Sequence, residues 1–257
     1  MLAIETHGLT RFFGERAAVA DLALEVPEGS FYGFLGPNGA GKSTTMRLLA
    51  GLLAPSAGGG TVLGHDLAEN SHEVRRLIGV VPDGLALFER LSGAEQLRLH
   101  GQLYGLPRRV AGGRAEELLA ALGLAGDADR LVGEYSHGMR KRLALGCALI
   151  HGPRLLFLDE PFEGIDALAV TGVRRLLREL VDQDRLTIFL TSHVLEVVER
   201  LVTHVGVIQG GRLVAQGALA AVRGSGTLEQ FFLRTLGEGE ERGAPRLSWT
   251  GSRPAGG

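Results

Sequence analysis

Two periodicities of apolar positions divide this chain. Residues 2–30 alternate apolar and polar side chains and are interrupted by turn signals at Gly14-Glu15 and Pro27-Glu28-Gly29, which predicts short antiparallel strands. Residues 31–35 (Phe-Tyr-Gly-Phe-Leu), 155–158 (Leu-Leu-Phe-Leu) and 186–190 are continuous apolar runs, as expected of strands buried on both faces. Residues 61–63 and 78–81 read as further short strands around a polar, helix-prone segment, 68–77, and residues 55–60 read as a loop. From 91 to 150 the period lengthens to that of a helix, with Leu97, Leu99 and Leu103 and then Leu118, Leu119 and Leu122 as the apolar positions. The last helix of that region starts near Ser136 and runs through Leu143, Leu145 and Leu149. A helix over 170–181, a hairpin over 205–216 turning on Gly210-Gly211, and a short amphipathic segment over 228–236 complete the pattern. From 237 onward the chain is Gly, Glu, Arg, Pro and Ser with one Trp249, a composition expected to be disordered. The expected fold class is α/β, with an antiparallel β subdomain beside the core and an α-helical subdomain inserted into it.

One junction of strand and helix carries chemistry. The run 31–35 is followed by Gly36, Pro37, Asn38, Gly39, Ala40, Gly41, Lys42, Ser43 and Thr44, where a helix begins at Lys42 and continues until Gly51. This is the G-x-x-x-x-G-K-[ST] phosphate loop in the strand–loop–helix context that the pattern requires. Glycines let successive N–H groups turn inward toward phosphate oxygens, and the helix start adds the positive end of its dipole. The Lys42 ammonium is expected to reach the β- and γ-phosphates of a nucleotide, and the Ser43 hydroxyl to ligate Mg²⁺. The core is therefore expected to be that of a P-loop NTPase (RecA-like).

Composition bounds the rest. At 257 residues, 45% hydrophobic and with a net charge of −2, the chain fits a globular protein with a full core. The near-neutral charge gives no electrostatic case for nucleic acid or an anionic membrane surface. A single cysteine, Cys147, excludes an intrachain disulfide and fits a reducing cytoplasm. No basic-then-apolar leader opens the sequence, and no apolar run approaches the ~18–20 residues of a membrane span. Of the 27 basic side chains only two are lysines, Lys42 and Lys141, so one of the two sits in the phosphate loop, where a compact point charge is needed.

Three further stretches follow from the chemistry of phosphates. Run 155–158 ends in Asp159-Glu160, and the C-terminal end of a buried parallel strand is where open α/β sheets place ligands. Asp159 is expected to hold Mg²⁺ directly or through water, and Glu160 to orient and deprotonate an attacking water. Tyr135-Ser136-His137-Gly138-Met139-Arg140 opens a helix; the pattern by itself reads as an N-cap at Ser136, with a second phosphate-binding helix end as the functional alternative. His193 ends the run through Thr191-Ser192 and is a candidate hydrogen-bond partner of a γ-phosphate or its attacking water, while the other seven histidines show no metal-ligand spacing.

In this order the residues resemble the ATP-binding cassette (ABC) ATPase family over about residues 2–225. Residues 36–44 match its Walker A motif, and 155–160 its Walker B motif with the catalytic glutamate. Residues 135–139 are similar to its signature motif, Gly164-Ile165-Asp166 to its D-loop, His193 to its switch histidine, and Phe13 to the aromatic that stacks on adenine. The form Tyr-Ser-x-Gly-Met-Arg is most similar to ATP-binding subunits of ABC-2-type exporters. The resemblance implies ATP and Mg²⁺ as cofactors, with Ser43, Asp83 and Asp159 around the metal and Glu160 and His193 as catalytic residues. It implies that Phe13, the phosphate loop, Asp83, Ser136, Gly138, Met139 and Asp166 bind ATP. It implies two cassettes closing head-to-tail on two ATP molecules, as a homodimer or with a paralogue. It also implies a separate transmembrane permease and a place on the cytoplasmic face of the membrane. The domain expected is 2–225, with core segments 2–83 and 151–225 and the helical subdomain at 84–150, followed by a short helix at 226–236 and the tail at 237–257. The sequence departs from the family at His137, Met139 and above all Asp83, where a glutamine is usual. A soluble ABC-type ATPase with no transport role and a nucleotide-binding regulator with little turnover stay open as alternatives.

Overall fold

A computed structural model describes residues 1–184, 186–192 and 195–237. Strand β1 (Leu2–Phe13) takes β2 (Arg16–Leu22) and β3 (Glu25–Pro27) as antiparallel partners, and the fully buried β4 (Phe31–Leu35) leads through the phosphate loop into α1 (Lys42–Leu49). Next come β5 (Ala57–Val62), β6 (His65–Asp66), α2 (Ser71–Leu77) and β7 (Ile78–Val81). Three helices follow, α3 (Gly93–Leu103), α4 (Arg108–Ala121) and α5 (His137–Leu149). The chain then returns through β8 (Leu155–Asp159), α6 (Ala167–Asp184), β9 (Thr187–Ser192), α7 (Leu195–Glu199), the hairpin β10 (His204–Gln209) and β11 (Arg212–Ala218), α8 (Leu219–Arg223) and α9 (Leu228–Leu236).

The strands form two sheets. Strands β10, β4, β9, β8 and β7 lie side by side in that order, all parallel, with β11 antiparallel at the edge; β2, β1, β5 and β6, with β3 on β1, form the antiparallel sheet. Side chains of the parallel strands alternate between two cores, as a two-residue period demands. Tyr32, Phe34, Phe157 and Phe189 point to the antiparallel sheet and α1, where Phe189 stacks on Tyr32 at 5.7 Å and meets Phe157 edge-on at 5.6 Å. Phe31, Leu35, Leu156, Leu158, Ile188 and Leu190 point the other way, into a cluster shared with α5, α6 and the inner faces of α3 and α4. Each of these fully buried large side chains contributes on the order of 1.5–3 kcal/mol of transfer free energy, which fixes β4, β8 and β9 rigidly where their C-terminal ends meet.

Two expectations are corrected. Residues 57–60 are not loop but the first part of β5, and the strand stops at Val62, leaving Leu63 in a turn with φ 51°. Three glycines hide this strand from a propensity argument, yet the pairing with β1 requires two of them. A Cβ on Gly60 would lie 2.3 Å from the Glu5 carbonyl oxygen, and one on Gly58 only 2.1 Å from that of Gly8. Leu103, expected on the buried helical face, is exposed. The inner face of α3 is Ala94, Leu97 and Gly101, and Gly101 lets α4 approach at Ala111. The short helices α7 and α8, five residues each, showed no period in the sequence. The reading of the tail, apart from Gly237 at the end of α9, and with it Trp249, falls outside the described residues. Among the described residues no helix is long and apolar enough to cross a membrane.

Candidate nucleotide site

The loop between β4 and α1 has the shape that its glycines allow. A Cβ on Gly36 would stand 2.4 Å from the carbonyl oxygen of Ile208 on β10, and one on Gly41 2.5 Å from that of Ala18 on β2. Gly41 also holds φ 112° and Gly39 φ 78°, conformations open to glycine. Gly41 is the N-cap of α1 and no side chain caps it, so no loop side chain competes for the first-turn amides of the helix. Lys42 is buried and donates to the carbonyl oxygens of Gly36 at 2.8 Å and Pro37 at 3.3 Å, across the loop. Burial pushes its pKa down, and the carboxylates of Glu160 and Asp159 act in the opposite sense. Pro37 thus supports the lysine through its carbonyl, and Ala40, buried against Gly36, closes the back of the loop.

Beside the loop lie the ends of β8 and β9. Asp159, buried, is the last residue of β8 and pairs in register with Thr191 of β9, whose hydroxyl donates to its Oδ1. Glu160 follows with φ 47°, uncommon for a residue with a side chain. Its N–H donates to the Thr191 carbonyl at 3.1 Å. Its own carbonyl accepts from the Glu163 N–H at 3.3 Å and from Nζ of Lys141, on α5, at 2.9 Å.

These groups surround one cavity of about 550 Å³, lined by Phe13, Asn38, Gly39, Gly41, Lys42, Ser43, Thr44, Asp83, Asp159 and Glu160. The sequence had singled out all ten. It missed Arg16, Ala18 and Glu163, which line the same space, because β2 and the turn after β8 carry no motif. Phe13 is half exposed at the rim, with the Arg11 guanidinium 5.0 Å from its ring centroid. Among the described residues no three carboxylate, His or Cys groups could hold a metal ion by themselves. The oxygen set that lines the cavity, the Ser43 hydroxyl with the Asp83 and Asp159 carboxylates, fits Mg²⁺, which takes few protein ligands and completes its shell with phosphates and water.

Ser136, Gly138, Met139 and Asp166 do not line this cavity. Ser136 is exposed and caps α5, accepting from the Met139 N–H at 3.2 Å, so that amide is already engaged. Asp166 caps α6 through the Ala169 N–H at 2.9 Å. The two segments touch within the chain: a Cβ on Gly138 would come 3.3 Å from the Gly164 carbonyl oxygen, and the His137 ring lies against Gly164 itself. Asp83 belongs to both regions, since it also lines a smaller cavity with Glu89, His137 and Arg140. His193 lies outside the described residues.

A family model described as "ABC transporter" matches residues 19–163. The bacitracin transport ATP-binding protein BcrA of Bacillus licheniformis is 38% identical over 213 residues, 83% of this chain and 69% of that protein. The daunorubicin/doxorubicin resistance ATP-binding protein DrrA of Streptomyces peucetius is 42% identical over 223 residues, 87% and 67% of the two chains. A solved ATP-binding subunit of an ABC transporter superposes with a TM-score of 0.84 at 28% identity, covering 91% of this chain and 99% of that one. The dimeric cassette MJ0796 shares the fold, with a TM-score of 0.79 at 24% identity over 84% and 98% of the two chains. The chain belongs to the ABC transporter family, as one of its ATPase subunits.

Proposed function

We propose that this chain hydrolyses ATP to drive an ABC-2-type exporter, and that it does so by pairing with a second cassette and with a separate membrane permease. The observation that carries the reading is the convergence of Lys42, Ser43, Asp159 and Glu160 on one cavity at the C-terminal ends of β4 and β8. Lys42 and the loop amides hold the β- and γ-phosphates and offset the charge that spreads over the γ-oxygens as the bond to ADP breaks. Phe13 stacks on the adenine. Ser43, Asp83 and Asp159 would hold Mg²⁺, which would supply further neutralisation of phosphate charge. Glu160 takes the proton of the water that attacks the γ-phosphorus in line, and the oxygen bridging to ADP leaves with the bonding pair. A positioned general base is worth about 10²–10⁴-fold in rate. His193 would orient the same water or the γ-phosphate.

Two further parts of the reading have their own support. Ser136 is exposed and outside the cavity of its own Lys42, so a γ-phosphate touching both must lie between two chains. Residues 84–150 form the helical subdomain that engages the permease; a groove beside it is lined by Leu52, Pro82, Leu87 and Tyr104 and offers exposed apolar contacts. The names of the relatives, bacitracin transport and daunorubicin/doxorubicin resistance, favour export of compounds chosen by the permease. The test is Glu160→Gln: ATP affinity at the wild-type level with hydrolysis reduced at least about 10²-fold supports the reading. Hydrolysis at the wild-type rate removes Glu160 as the base.

A further inference from the structure

We propose that Lys141 is a positioning residue for Glu160, and that through it helix α5 sets the aim of the catalytic carboxylate. Among the described residues Lys141 is one of the most buried charged side chains, 4% exposed, and the ammonium donates to the Glu160 main-chain carbonyl at 2.9 Å. An ammonium removed from water is costly, so the site that keeps one has a use for it. Glu160 has φ 47°, a backbone conformation that a residue with a side chain holds only when its surroundings enforce it. Three contacts enforce it. Its N–H is fixed to β9 at Thr191, while its carbonyl is shared between the Glu163 N–H and Lys141. With both peptide groups held, the direction of the Cα–Cβ bond is set, and with it the reach of the carboxylate into the cavity.

The lysine also joins two regions. It lies on α5, the helix that Ser136 caps, five residues beyond that serine. The helix that presents Ser136 to one nucleotide therefore holds the base that serves the other. Sequence alone gave a hint: Lys141 is the only lysine besides the phosphate-loop Lys42 in a chain that otherwise uses arginine. An arginine fork is broad, whereas a lysine ammonium is a compact point donor.

The inference rests on Glu160 being the base, and the test separates the two. Lys141→Met keeps the stem and removes the donor; Lys141→Gln is shorter and keeps an N–H donor. In steady-state hydrolysis by the full chain, Lys141→Met is expected to lower kcat about 10–100-fold, the effect of misplacing a catalytic group by about 1 Å, with KM and the melting temperature little changed. Lys141→Gln recovers part of the loss. On a Glu160→Gln background Lys141→Met adds nothing further, since the two changes act on one group. Wild-type kcat in Lys141→Met, or a full additional loss on the Glu160→Gln background, overturns the positioning role and leaves the base assignment standing. If Lys141→Met melts early, Lys141→Gln decides: a fall in kcat without a fall in ATP affinity supports the role, and a parallel fall in both overturns it. Full activity of Glu160→Gln alone would instead remove the base assignment.

Discussion

Thr191 and Asp159 face each other across the β8–β9 ladder, and the threonine hydroxyl donates to the aspartate Oδ1. Both are buried, so the hydroxyl fixes the rotation of a carboxylate that solvent does not reach freely. Thr191→Val removes the hydroxyl at nearly constant shape. Loss of a hydrogen bond to a charged group costs about 1.5–3 kcal/mol, which in a chain of this size lowers the melting temperature by several degrees. With Asp159 less constrained, the Mg²⁺ concentration for half-maximal hydrolysis should rise. Thermal melts and a Mg²⁺ titration of the two proteins check this; an unchanged titration would separate the hydrogen bond from the metal.

Asp83 lines the cavity with Asp159 and Glu160. Its carboxylate adds negative charge to a site that binds metal and phosphate, and because Asp83 is exposed that charge is partly screened by solvent. Asp83 can accept from a metal-bound water but cannot donate to phosphate. Asp83→Gln is expected to shift the Mg²⁺ dependence of hydrolysis to higher concentration, or to raise turnover at saturating Mg²⁺. Superimposable curves for the two proteins would contradict it.

His151 predicts acid sensitivity. Its ring stacks on Tyr104 at 3.7 Å, Nε2 bonds the Ile78 carbonyl at 3.0 Å, and Nδ1 is buried without a hydrogen-bond partner among the described residues. Burial holds its pKa below the usual histidine value, opposed by the Ile78 carbonyl and helped by Arg114. As pH falls through the ordinary value of 6.5, the unfolded chain binds a proton that the folded chain resists, so the contribution of this group is present above that pH and is lost below it, down to the folded pKa. His151→Phe, which keeps the ring on Tyr104, should narrow the gap between melting temperatures at about pH 7.5 and about pH 5.5, even if it lowers both.

Most of the site was legible because phosphate chemistry leaves local marks. The strand at 31–35, the glycine spacing of 36–41 and the carboxylates after 155–158 each lie in one short segment, and the structure gathers them. What stayed hidden depends on pairing between distant segments. Strand β5 looked like loop because Gly58 and Gly60 have no side chains, although that is what lets β1 come so close. Arg16 enters the cavity only because β2 runs past the phosphate loop. Thr191 and Lys141 act through hydrogen bonds across β9 and from α5, separated from their partners by 32 and 19 residues, and no motif records such a contact.

The central claim is that one ATP is held between Lys42 of one chain and Ser136 of another. The direct measurement is the mass in solution, by light scattering, of Glu160→Gln with ATP and Mg²⁺. The account predicts a shift from the single-chain mass of 27.2 kDa to about twice that value, abolished when Ser136→Arg is added. A protein that binds ATP fully yet keeps the mass of one chain, alone and beside its membrane partner, would contradict it.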